Sequence, residues 1–500
     1  MSRATLSALV LAAMFGLGSG ACQANAGTAI PGAAGSGAAP TKEVGAAGQR
    51  GAPAQGQAGI GAGGSPTQGH AGTGAGGSPT QGQTGTGAGG SPTQAGTDAG
   101  TDAGAGADAA GRDAGVTKTA PDSRCPADSS IPQRTDFSVA GPLTAATMDV
   151  TFEDKSRPVP ATTKQPGAPS RTLVTTIYYP SSGPAPFLGT PPLASGGPFP
   201  MLMYSHGYSS NRSEAARVAK RLASYGYIVV AADFPLSNIG ANGGPDLVDA
   251  ANQPGDLSFL IDQLLMLSRD PQHALAGGVD EARIGALGVS LGGMTTLLVT
   301  FHPRFQDKRV KVAMPIAPLS KVLTRGFYHT RQVPMLLVAG DLDAILEYTT
   351  NARRSFEFAA PDAILVTIAR GTHAAFGFDF GPGLVPLLNA FIAPAGADPS
   401  NSDGLGCGAV GKSLEMSDPG WVTALGGAND FIDASESNLD VCARDEYKHP
   451  AIDAQEQEDI VLRAAVPFFD AHLASTPELR QDGCRYLMYE VPRHESVTLE

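Results

Sequence analysis

Two stretches near the middle of the chain, FPMLMYSHGY (199–208) and YIVVAADFP (227–235), are apolar almost throughout. Between them, NRSEAARVAKRLASYGY (211–227) places Ala, Val and Leu at helical spacing behind a polar start. Continuous apolar runs rich in β-branched residues predict strands buried on both faces, and the 3.6-residue spacing predicts an amphipathic helix. The alternation continues downstream. QPGDLSFLIDQLLML (253–267) predicts a helix, and RIGALGVS (283–290) a strand that runs into a helix from about Leu291. VKVAMPIAP (310–318), VPMLLVAGD (333–341) and AILVTIA (363–369) predict three more strands, and QEQEDIVLRAAVPFFDAHL (455–473) a terminal helix. Two β-rich runs, TMDVTFED (147–154) and TLVTTIYYP (172–180), precede them all. Strands alternating with helices imply right-handed parallel crossovers, hence an α/β fold with a mostly parallel, open central sheet and helices on both faces.

The N-terminal part has a different pattern. From about Gln23 to Lys118 the chain is almost entirely Gly, Ala, Ser, Thr, Pro, Gln and Asp, and GAGGSPTQ recurs from Gly61, Gly74 and Gly87. These units carry no large apolar residue to stack, so they cannot offset their own ordering entropy. Residues 27–118 are therefore expected to form a disordered tether, leaving 119–500 for one large α/β domain. Ahead of the tether, Arg3 and the apolar run from Leu6 to Leu17 are too short for a membrane span and suit a signal peptide over residues 1–26. Two processing routes stay open: cleavage after Ala24-Asn25-Ala26, or lipidation of Cys22 after Gly20-Ala21. Either predicts export, as a secreted, periplasmic or outer-membrane-anchored protein, with membrane contact only through a lipid anchor and only if Cys22 is lipidated.

Cysteine usage agrees with export. With Cys22 set aside, Cys125, Cys407, Cys442 and Cys484 allow two disulfides in three connectivities. Cys407–Cys442 with Cys125–Cys484 is the preferred pairing, the first stapling one segment and the second tying the domain ends. Neither C-x-x-C nor the Cys/His spacing of a zinc site occurs, and no cofactor or metal is expected. The net charge of −13 with scattered Lys and Arg argues against nucleic acid.

The chemistry concentrates where the predicted strand 283–290 meets its helix. Gly288-Val289-Ser290-Leu291-Gly292 is G-x-S-x-G in strand–turn–helix context, which lifts the serine above a sheet edge. A serine hydroxyl needs a base and an orienting acid. His373 follows the strand at 363–369, and Asp341 and Asp343 follow the strand at 333–341, all at the same sheet edge as Ser290. Asp343, further into its loop, is the preferred acid, with Asp341 bracing the loop. An oxyanion requires two backbone donors, for which the N–H groups of Leu291 and Tyr208 are placed. Tyr208 and His206 stand at the expected substrate wall, with His206 also suited to structural hydrogen bonding.

Together MLMYSHGYSSNRSEAARVAKRLASYGYIVVAADFP, QPGDLSFLIDQLL, RIGALGVSLGGMTT, MLLVAGDLDAIL and GTHAAF resemble the α/β-hydrolase superfamily. Within it they look like secreted esterases related to platelet-activating-factor acetylhydrolases, dienelactone-hydrolase-like proteins and bacterial polyester hydrolases. The resemblance implies Ser290 as nucleophile, Asp343 as acid and His373 as base. It also implies an oxyanion hole at Leu291 and Tyr208, and a small-molecule or polymeric ester as substrate. Val289 and Leu291 depart from the His and Met or Phe that many relatives carry beside the serine. A larger departure is an insertion at about 377–454, open to two readings: a wall or lid over the site, or a cap on the sheet edge. Its lone Trp421 suits a core position, and its acidic run, without an EF-hand pattern, a solvated loop. A polyester depolymerase or lipase, and a non-catalytic surface binding protein that keeps the fold, remain the competing readings. The oligomeric state is not legible.

Overall fold

The computed structural model describes residues 133, 135–183, 190–377, 384–415, 417 and 420–500. The expected signal peptide, the tether, Cys22 and Cys125 lie outside the described residues. Nine strands form one sheet: β1 (Thr144–Asp154), β2 (Arg171–Ser181), β3 (Phe199–Ser205), β4 (Ile228–Ala232), β5 (Val279–Val289), β6 (Val310–Ile316), β7 (Leu336–Gly340), β8 (Ile364–Ile368) and β9 (Val497–Leu499). Their spatial order is β1-β2-β4-β3-β5-β6-β7-β8-β9. Strands β3 to β8 run parallel, whereas β1, β2 and β9 are antiparallel to their neighbours. The mostly parallel sheet expected from the alternating pattern is therefore present, with antiparallel strands only at its flanks.

Helices α1 (Ala216–Ser224), α2 (Gln253–Arg269) and α3 (Leu291–Phe301) connect the first parallel strands. Every residue of β3 and β4 is buried, as strands covered on both faces require. The pleat divides them by parity. Leu202 and Tyr204 join a core with α1 and the long helix Ala454–Leu473, while Met201 and Met203 join a second core with α2. Edge strand β1 instead alternates exposed and buried positions.

The insertion folds around α4 (Leu384–Ile392) and α5 (Gly420–Leu425). Trp421, Val422 and Leu425 are buried in a common core with Leu297, Leu298 and Phe301 of α3 and Leu337 of β7. The segment is thus part of the hydrophobic core and more than a cap on the sheet edge. Its acidic run is not simply solvated. Asp430 pairs with Arg304 at 2.9 Å, Glu436 with Arg354 at 2.9 Å, and Asp440 with Lys321 at 3.3 Å. Cys407 and Cys442 form a disulfide with Cα atoms 5.8 Å apart. Cys484 is also disulfide-bonded.

The helix at Ala454–Leu473, α6, is not terminal: α7 (Pro477–Arg485) and edge strand β9 follow it. Three residues of β9 are too short to show a period of two, and their pairing with β8 is a long-range event.

Candidate active site

The turn from β5 to α3 is held in a conformation that only some sequences tolerate. Ser290 has φ 59° and ψ −117°, outside the regions an L-residue prefers, at a cost on the order of 1–3 kcal/mol. The surrounding structure enforces it. The Ser290 N–H donates to the Ile316 carbonyl at 2.9 Å, and its own carbonyl accepts from Met294 and Leu319. The turn also presses against the end of β3. A Cβ at Gly292 would lie 1.9 Å from the Ser205 carbonyl oxygen, and one at Gly288 2.5 Å from the same atom. Glycine at both positions is a steric necessity for bringing the serine to the sheet edge.

The loops after β7 and β8 meet at that edge. His373 Nδ1 and Asp343 Oδ2 are 2.7 Å apart, and both side chains are buried. The other Asp343 oxygen accepts from the N–H groups of Ile345 at 2.9 Å and Leu346 at 2.7 Å, which fixes the carboxylate. Asp341 is spent otherwise: it accepts from the Arg370 N–H at 2.6 Å and braces the turn after β8. Ser290 and His373 line the same cavity, and among the described residues no hydrogen bond joins them. Such bonds commonly tighten only when substrate is bound.

Burial works against a charged His373, but the Asp343 carboxylate, followed by Asp403 and Glu214, outweighs it and raises the ring above its ordinary pKa. With Asp343 accepting at Nδ1, the second ring nitrogen is left to serve the serine.

On the facing side, Gly207 and Tyr208 close the loop after β3. A Cβ at Gly207 would lie 3.5 Å from Ser290 Cβ, so this backbone passes directly over the serine. Among the described residues, the N–H groups of Tyr208 and Leu291 have no backbone acceptor. That of Leu291 also stands at the first turn of α3, where helix N–H groups favour negative charge.

His206, expected at the substrate wall, is elsewhere. It is fully buried, its Nε2 accepts from the Phe234 N–H at 3.1 Å, and its Nδ1 lies 2.7 Å from the Gly207 carbonyl. Both nitrogens are occupied, burial holds its pKa below the usual value, and it is not on the cavity wall. Its work is to tie the loop after β3 to the end of β4.

Two carboxylates at the site, one half-buried and one buried, have no sequence signal. Glu214 accepts from the Gly207 N–H at 3.0 Å and from the Tyr204 hydroxyl at 2.9 Å, and burial pushes its pKa up to about 7. In the sequence it is one polar residue at the start of a helical stretch. Asp403 comes from the insertion and accepts from the N–H groups of Ala344, His373 and Ala374. Burial and the neighbouring Asp343 charge push it up to about 6.

The cavity spans about 450 Å³, part of it open to solvent, and is lined by Tyr208, Glu214, Ser290 and His373 together with Ile345, Gly406, Val410 and Leu414. Gly406, Val410 and Leu414 belong to the insertion, which therefore forms a wall of this cavity. The Tyr208 hydroxyl donates to the Pro245 carbonyl at 2.9 Å and lies 2.9 Å from Ser413 Oγ, so the wall is tied to the loop that crosses the serine. Among the described residues no three His, Cys, Asp or Glu side chains gather as a metal-binding group, and no helix is long and apolar enough to cross a membrane.

A family model described as PETase, PET hydrolase-like, matches residues 169–377, the stretch that runs from β2 past His373. The chain has an α/β-hydrolase fold, and this stretch is similar to the PET hydrolase-like family. Similar proteins include Cutinase 2 of Thermobifida cellulosilytica, 27% identical over 30% of this chain and 50% of that protein. Cutinase cut1 of Thermobifida fusca is 27% identical over 30% of the chain and 41% of its own length. Cutinase est1 of Thermobifida alba is 24% identical over 40% and 57%. The α/β-hydrolase spans about half the length of these curated relatives. The family match ends at residue 377, where the insertion begins.

Proposed function

We propose that this α/β-hydrolase is an exported serine ester hydrolase that works through an acyl-enzyme on Ser290. One observation carries the reading: a serine on a strained strand-to-helix turn shares a cavity with a buried histidine whose far nitrogen is held by a carboxylate. In the proposed reaction His373 Nε2 takes the Ser290 proton as Oγ attacks the ester carbonyl carbon. The carbonyl oxygen becomes an oxyanion between the N–H groups of Tyr208 and Leu291. The tetrahedral adduct collapses, the C–O bond to the alcohol breaks, and His373 returns its proton to the departing alkoxide. Water, deprotonated by His373, then attacks the acyl-enzyme, releasing the acid and restoring Ser290. Asp343 holds the ring and offsets its positive charge in both steps.

The similarity to proteins named cutinases and to a PET hydrolase-like model favours polyester or cutin-type esters, as do the apolar wall residues Val289, Ile345, Val410 and Leu414. Export is supported by the apolar run after Arg3 and by the Cys407–Cys442 disulfide, which belongs in an oxidising compartment. Residues 27–118 would then act as a tether, to a membrane if Cys22 is lipidated.

The test compares the purified protein with Ser290→Ala on short p-nitrophenyl esters and on polyester film. The proposal expects hydrolysis by the parent and a loss on the order of 10⁴-fold or more in the variant. Equal rates for the two proteins would end it.

A further inference from the structure

The insertion sends one carboxylate into the gap between the loops that carry Asp343 and His373. Asp403 is completely buried. Its Oδ2 accepts from the Ala344 N–H at 2.8 Å and from the His373 N–H at 3.1 Å, and its Oδ1 from the Ala374 N–H at 2.7 Å. Ala344 follows Asp343 directly, and Ala374 follows His373, so a single side chain grips both loops beside their functional residues.

The segment bearing Asp403 is itself held from both sides. Asn401 is fully buried, accepts from the Asp403 N–H at 2.9 Å, and donates to the carbonyls of Glu446 and His449. Ser402 Oγ lies 2.6 Å from Thr372 Oγ1, one residue before His373. Beyond it, the Cys442 N–H donates to the Ala344 carbonyl at 2.8 Å, and the disulfide to Cys407 closes the far side. A buried carboxylate without a cation partner is costly unless its bonds are charge-assisted and complete. Three N–H donors around Asp403 meet that condition.

We propose that Asp403 is a positioning residue that fixes the Asp343 loop and the His373 loop against each other, so that the insertion is required to assemble the active site. The inference rests on the proposed ester hydrolysis, although part of its test does not. Asp403 also places a second negative charge behind His373. The titratable groups facing that ring are Asp343, Asp403 and Glu214.

Asp403→Asn keeps the size and one acceptor oxygen but turns an NH₂ toward a backbone N–H and removes the charge; Asp403→Ala removes all three bonds. In the intact protein, Asp403→Ala should lower kcat on a p-nitrophenyl ester on the order of 100-fold with little change in KM, the expected effect of misplaced catalytic groups. Asp403→Asn should lower kcat about tenfold, the worth of one charge-assisted bond. In that variant the acid limb of kcat/KM should also move to lower pH, because an ionised neighbour that favoured the charged ring is gone.

The readout independent of turnover is proton NMR of the His373 ring, assigned against His373→Gln. Its titration midpoint should fall in Asp403→Asn, and its low-field Nδ1 proton should disappear in Asp403→Ala. If the parent hydrolyses no ester but the ring responds in this way, the positioning role stands and the reaction is wrong. If both variants stay folded with parental kcat, acid limb and ring titration, the proposal is overturned. Should Asp403→Ala fail to fold, the unshifted ring titration of Asp403→Asn is sufficient to overturn it.

Discussion

Replacing Glu214 with glutamine isolates one ionisation beside the candidate active site. The glutamate is half-buried on the cavity wall, and burial raises its pKa from 4.5 to about 7. Between those values the folded chain keeps a proton that the unfolded chain has released, so stability falls as pH rises and levels off above about 7. At 1.36 kcal/mol per tenfold, the rise from 4.5 to about 7 amounts to about 3 kcal/mol of destabilisation at pH 8 that is absent at pH 4. The amide side chain of Glu214→Gln is nearly isosteric and would still accept from Tyr204 and Gly207 through the oxygen in the Oε1 position. It would not ionise. Urea unfolding of the two proteins at pH 4, 6 and 8 should therefore give curves that nearly coincide at pH 4. At pH 8 the variant should be about 3 kcal/mol more stable. Other titrating groups cancel in the difference. A stability difference that is the same at all three values would refute the reasoning, since it would mean that Glu214 does not change its protonation in that range.

Other parts of the structure give equally specific expectations. Gly292→Ala forces a Cβ to 1.9 Å from the Ser205 carbonyl; it should cost about 3 kcal/mol or more in denaturant unfolding and remove ester hydrolysis. Arg171 is fully buried and bonds Asp249 at 2.9 Å and Asp256 at 2.6 Å. Arg171→Leu should lose about 3–5 kcal/mol in the same assay by leaving the buried Asp249 without its cation, while Asp256 keeps Arg157 at 2.7 Å. Because Asp343 and its neighbours raise the His373 pKa and the ring must be neutral to accept a proton, kcat/KM should rise with pH. Its midpoint should lie above the 6.5 of an ordinary histidine; a midpoint below that value would contradict the arrangement.

The division between what the sequence disclosed and what it hid follows from range. Ser290, Asp343 and His373 were legible because each sits just after a strand with a strong apolar pattern, and parallel strands deliver their C-terminal ends to one edge. The close approaches of Gly288 and Gly292 follow from the same local motif. The choice of Asp343 over Asp341 was half-visible, since only the folded loops decide which carboxylate meets His373 and which meets the Arg370 N–H. Glu214 and Asp403 were hidden because nothing in a polar residue's neighbours says that distant chain will bury it. His206 was misplaced for a related reason: its position beside Gly207 suggested the cavity, while the Phe234 N–H just past β4 claims its Nε2. Strand β9 and α7 were missed because a three-residue strand and a short polar helix leave no periodic trace.

The central claim is that Ser290 is an activated nucleophile, and covalent trapping tests it without any assumption about the natural ester. The purified protein is treated with a fluorophosphonate probe at pH 8, digested and mapped by mass spectrometry. The account predicts a single adduct on Ser290, lost in Ser290→Ala and strongly slowed in His373→Gln. An unlabelled Ser290 in the folded parent, or labelling that is as fast without His373, would contradict it.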